Sequence, residues 1–132
     1  MANIFSSAFI VVALAWCLPA TAFAQDTVEA DARQLLQQYS AALESLDAEA
    51  VKKLQPSMDV ENLKKAFREM RQLDVTIDNV KLLSVDPAVV RLSCRVSQTL
   101  TPKAGSRQTT AVTRVLRLRR GQSSWVIDAF ER

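Results

Sequence analysis

The sequence predicts an α+β fold in which three N-terminal helices pack on a four-stranded antiparallel sheet. Three observations predict it. Apolar residues recur at steps of three and four as far as Leu73 and at steps of two beyond it. The second half is punctuated by Asp86-Pro87, "TPKAGSR" and "GQSS", short turn-forming stretches of the kind that join neighbouring strands. Helices gathered before strands argue for an antiparallel sheet covered on one face, not for an alternating parallel one.

The chain opens on a segment that reads as a leader, outside this fold. An apolar run from about Ile4 to Leu18 is followed by a Pro-Ala-Thr break and then Ala22-Phe23-Ala24, with small residues at both positions that signal peptidases read. The run is shorter than the ~20 residues that span a bilayer. Residues 1–24 are therefore expected to be a cleaved signal peptide. Residues 25–132 would then be a single exported domain, periplasmic or secreted, with no stable membrane insertion after cleavage. Cys17 leaves with the leader, so Cys94 remains alone and no internal disulfide can form. A chain of this size without disulfides is held by its core, and dimerisation would add to it.

The elements follow in order. "DTVEADARQLLQQYSAALESLD" places Val28, Ala32, Leu35, Leu36, Tyr39, Ala42, Leu43 and Leu46 on one helical stripe, with Asp26 as a cap. Asp47 caps a short second helix, "AEAVKKLQ", which Pro56 closes. Asp59 caps a third, read from "DVENLKKAFREMRQL", with Val60, Leu63, Phe67 and Met70 on one face. In "DVTIDNVKLLSV" the inward parity of Val75 and Ile77 passes to Val80 and Leu82, which predicts a bulge near Asp78-Asn79. "VVRLSCRVSQTL" alternates cleanly, with Val90, Leu92, Cys94 and Val96 on one face. "QTTAVTRVLRLRR" and "WVIDAFER" complete a closing hairpin about Gly121.

Charge is divided unevenly. Residues 25–86 hold 8 basic and 12 acidic side chains, and residues 87–132 hold 9 and 2. No aromatic interleaving or nucleic-acid motif accompanies the basic half, so solvated strand faces explain it better than a nucleic-acid partner. The chain contains no histidine, and the exported part keeps one cysteine and no close carboxylate constellation. No metal site or cofactor is expected.

The stretches "YSAALESLDAEAVKKL" and "LRLRRGQSSWVIDAFER", in that order, resemble the nuclear-transport-factor-2-like superfamily, with its SnoaL-like and ketosteroid-isomerase-like branches and cystatin-like α+β cone. The resemblance covers the whole exported part. It implies a curved sheet wrapped around the helices, a pocket at the cone's open end, and frequent dimerisation through the outer sheet face. In the isomerase branch a tyrosine on the first helix donates to a developing oxyanion, and Tyr39 occupies a similar place. That branch also uses an aspartate base after the second helix. Here the segment reads "PSMDVENLKKAFREM", with Asp59 spent on a cap. Dehydratase and cyclase relatives rely on an Asp/His pair, which a chain without histidine cannot supply.

Five residues are candidates for a pocket that holds a small apolar or amphipathic ligand: Tyr39, Phe67, Gln98, Arg114 and Trp125. Arg114 is the odd one, because its parity is that of Leu116 and Leu118 and a buried unpaired charge is costly. It reaches the cone's mouth to bind an anion, pairs with a helix carboxylate, or is turned outward by a bulge. Val115, Val126 and Phe130, on the outward parity with a basic rim, are candidates for a homodimer interface. Cys94 reads as packing, since a nucleophilic thiol needs a base. These readings predict a non-catalytic exported module that binds a small molecule or another protein. The alternative is a small isomerase or dehydratase that uses Tyr39 and a carboxylate the sequence does not identify.

Overall fold

The computed structural model describes residues 20–122 and 124–131; residues 1–19, most of the expected signal peptide, lie outside them. Three helices, α1 (Ala20–Glu44), α2 (Ala48–Leu54) and α3 (Val60–Arg68), precede four strands, β1 (Met70–Val85), β2 (Val89–Pro102), β3 (Gln108–Arg120) and β4 (Trp125–Glu131). The strands form an antiparallel meander in the order β1-β2-β3-β4. Among the described residues no helix is long and apolar enough to cross a membrane.

The second and third helices begin where their caps place them, but α1 starts at Ala20, so Asp26, the expected cap, lies inside it and not at its start. Ala32, Leu35, Leu36, Tyr39, Ala42 and Leu43 are the buried face of α1. Asp47 accepts from the Ala50 amide at the start of α2, and Asp59 accepts from the Glu61 and Asn62 amides at the start of α3. The third helix is shorter than the sequence pattern suggested. It stops at Arg68, and Met70 already belongs to β1. The cause lies in β2, which runs on to Pro102. Met70, Gln72 and Leu73 pair with Pro102, Thr101 and Leu100, and Leu73 is buried on the strand's inner face. A ladder with a buried apolar residue outweighs one more helical turn.

The expected bulge in β1 is present. The register shifts between Asp78 and Lys81, and Asn79 adopts a left-handed conformation with φ 52°. On the inner face Leu73, Val75, Val90, Leu92, Cys94, Val96, Leu116, Leu118, Trp125 and Ile127 join the helix stripe in one core.

α1 packs along β1 and also touches β4, the two outermost strands, so it spans the inner face of the sheet.

Candidate functional site

Tyr39, the oxyanion-donor candidate, points from α1 into the core. Its hydroxyl donates to Gln55 Oε1 at 2.8 Å, and its ring lies 6.1 Å from that of Phe130. Gln55 is itself buried and ends α2, its amide donating to the Val51 carbonyl. Pro56 follows and fixes the exit of the chain. A tyrosine, an amide and a phenylalanine from three elements thus fill the interior of the cone. Burial pushes the Tyr39 phenol up to about 12.

Phe130 reaches this cluster through a bulge that the sequence pattern did not show. Arg117 pairs with Ala129 and Leu118 with Ile127, which leaves Asp128 as the extra residue. Phe130, expected on the outer face, therefore pairs with Leu116 and faces the helices. The carbonyl of Asp128 is met by Ser57 Oγ at 3.1 Å from the α2–α3 loop. Its carboxylate stays outside and holds both Arg117 at 2.8 Å and Arg119 at 3.3 Å. Glu131 holds Arg91 at 2.7 Å, so the two acidic residues of the basic half are paired with three of its arginines. Val115 and Val126 remain on the outer face, half-buried among these pairs.

Arg114 pairs with Cys94 in an unbroken β2–β3 register, so no bulge turns it. It keeps the inward parity and is nevertheless exposed. β4 pairs only with Val115–Arg120, and the half of β3 that carries Arg114 projects past it. Among the described residues Arg114 makes no ion pair. Gln98 is half-buried between Val75 and Thr110. Phe67 is buried at the end of α3 and backs a shallow groove that also includes Leu46, Lys64 and Arg68. Cys94 is fully buried, and burial together with the charge of Asp78 pushes its thiol up to about 11.

Trp125 belongs to a different cavity. A cleft of about 390 Å³ lies between α1 and the β3–β4 turn. Asp31, Gln34, Leu35 and Gln38 line one wall, one face of α1 by their spacing. Arg120, Gly121, Gln122, Ser124 and Trp125 line the other. Leu35 and Trp125 are buried and give the cleft an apolar floor, while Asp31, Gln34, Gln38 and Arg120 are exposed around it. Arg120 lies over the Trp125 ring, 5.0 Å from its centroid, as a cation over a π face. The turn is closed by the Gly121 amide donating to the Ser124 carbonyl at 2.8 Å. Tyr39, Phe67, Gln98, Arg114 and Trp125 do not converge: Trp125 alone of the five lines this cleft.

Four contributors were invisible as site residues in the sequence: Asp31, Gln34 and Gln38, which lie off the apolar stripe of α1, and Arg120, which adjoins the turn at Gly121. Its pairing with Trp125 across the turn is the one signal that could have located the cleft.

The same architecture occurs in solved structures of low sequence identity. A proposed scytalone dehydratase from Novosphingobium aromaticivorans superposes with a TM-score of 0.72 at 11% identity, over 83% of this chain and 85% of that one. A nuclear-transport-factor-2-like superfamily protein from Salmonella enterica gives 0.68 at 12%, over 81% and 90%. A hexachlorocyclohexane dehydrochlorinase from Novosphingobium barchaimii gives 0.64 at 9%, over 83% and 87%. The chain has the nuclear-transport-factor-2-like fold. No protein-family model and no curated protein matches it in sequence. The fold hosts enzymes and non-enzymes alike, so its function must be argued from the site.

Proposed function

We propose that this protein is an exported, non-catalytic binding module that seats a small amphipathic molecule in the cleft between α1 and the β3–β4 turn. The observation that carries this reading is the cleft's make-up. Buried Leu35 and Trp125 form an apolar floor, with Asp31 on one wall and the oppositely charged Arg120 on the other. An apolar floor supplies contact area, and the polar groups around it, from Asp31, Gln34 and Gln38 on one side to Arg120, Gln122 and Ser124 on the other, orient a small ligand.

The two groups that chemistry could use support a binding role. The Tyr39 hydroxyl, the oxyanion-donor candidate, already donates to Gln55, and the Cys94 thiol is buried and holds its proton to about 11. An isomerase or dehydratase mechanism would first have to release Tyr39 from Gln55.

Native mass spectrometry of the protein purified from its own host tests the reading. A small molecule is expected to co-purify with the parent and to be lost from Arg120→Ala and from Asp31→Ala, while Arg114→Ala retains it. Repeatedly empty parent protein, or equal retention by all three variants, would refute the cleft as the seat.

A further inference from the structure

The two long edges of the sheet are built differently. β1 carries Asp74, Asp78 and Lys81 and is broken by bulges, the devices by which natural edge strands avoid pairing with another chain. The open part of β3 has no bulge, and its one charged residue, Arg114, stands at its end. β4 covers only Val115–Arg120, so among the described residues Gln108–Arg114 has no strand on its side away from β2. Every residue of that stretch is exposed, including Val112 at 43%, one of two large apolar residues so exposed among the described residues. From Gln108 to Thr113 it reads "QTTAVT": four β-branched residues, no charge, no proline and no glycine.

We infer that this edge is the contact between two copies of the chain, paired antiparallel about a two-fold axis at Ala111. In a continuous sheet, opposed residues share a face, so the axis must pass through a residue. Ala111 is the centre of the open stretch and uses all of it. Val112 then faces Thr110 of the second copy, and Thr113 faces its Thr109, both good cross-strand pairs. Arg114, without an ion pair in the single chain, meets the amide of Gln108 of the second copy. Arg107 would fall opposite Val115 of the second copy, a place that copy's own Glu131 holds, so the ladder ends at Gln108. No like charges are opposed anywhere in the register. The occupant that this edge complements is therefore itself.

The contact differs from one through the outer sheet face, where Val115 and Val126 lie. A ladder of this length buries less than the roughly 1,200–2,000 Å² of a standard stable interface. The dimer is expected to dissociate on dilution.

Sedimentation of residues 25–132 over a range of concentrations tests the inference, with Ala111→Lys as the principal variant. The parent should show a concentration-dependent monomer–dimer equilibrium. Ala111→Lys sets two lysines face to face across the axis and should weaken the dimer at least about tenfold, leaving the far-ultraviolet spectrum and melting of the monomer unchanged. Val126→Lys on the outer face should leave the equilibrium where it was. Under mild oxidation Ala111→Cys should cross-link two copies, and Ser97→Cys, one strand further in on the outer face, should not. A parent that stays monomeric at high concentration overturns the inference, as does a dimer lost in Val126→Lys but kept in Ala111→Lys. Cross-linking at position 97 as efficient as at 111 overturns it too.

Discussion

Tyr39 shows how much depends on one hydroxyl. Its bond to Gln55 is buried, so Tyr39→Phe leaves an amide oxygen without a donor and is expected to cost about 1–3 kcal/mol of stability by urea unfolding. Replacing both partners, Tyr39→Phe with Gln55→Leu, should recover most of that loss, since no polar atom is then stranded. The same burial sets an alkaline limit. Tyr39 is raised from 10.0 to about 12, so the folded chain holds that proton more tightly than the unfolded chain. Its contribution is complete below pH 10 and is lost as the pH rises from 10 to about 12. Cys94, raised from 9.0 to about 11, loses its share between those values. Melting temperature should therefore fall steeply above pH 9, and the fall between pH 10 and 12 should be shallower in Tyr39→Phe. Parity revealed that Tyr39 faces inward. It could not reveal the partner, because Gln55 lies 16 residues away at the end of another helix, where nothing in its neighbours marks it.

Elements bear out the local signals and depart from them where a partner strand intervenes. The caps are local: Asp59→Ala removes the acceptor for two backbone amides of α3 and is expected to cost about 1 kcal/mol in denaturant titrations. Gly121 is equally local. A β-carbon there would lie 2.8 Å from the Ser124 carbonyl oxygen, so Gly121→Ala must shift the turn that walls the cleft. It should lower both the melting temperature and the affinity for any molecule bound against Trp125. The end of α3, the face of Phe130 and the exposure of Arg114 were not local. Met70 became strand because β2 runs to Pro102. Phe130 turned inward because Asp128 is an extra residue opposite β3. Arg114 has the inward parity its sequence shows, yet lies in water because β4 stops short of it. Each outcome was set by the length or register of a neighbouring strand, which the alternation of one strand does not encode.

For the whole molecule, the fold class and the order of the elements were legible because both rest on period and punctuation along the chain. The cleft was not, since it is made where α1 crosses the far end of the β3–β4 hairpin. Export is a whole-chain prediction as well. Protein recovered from the cell envelope should begin at Gln25, and retention of residues 1–24 would count against a cleaved leader. The crossing of α1 has a further consequence for how stability is shared. A meander of hairpins has mostly local contacts and could fray strand by strand from its last hairpin. Here the first helix touches β4 as well as β1, so the last strand cannot leave without uncovering Tyr39 and the stripe around it. The two ends of the chain are thereby tied into one cooperative unit. Native-state hydrogen exchange should show amides of α1 near Tyr39 and of β4 near Ile127 opening with the same free energy, while the projecting half of β3 opens more readily.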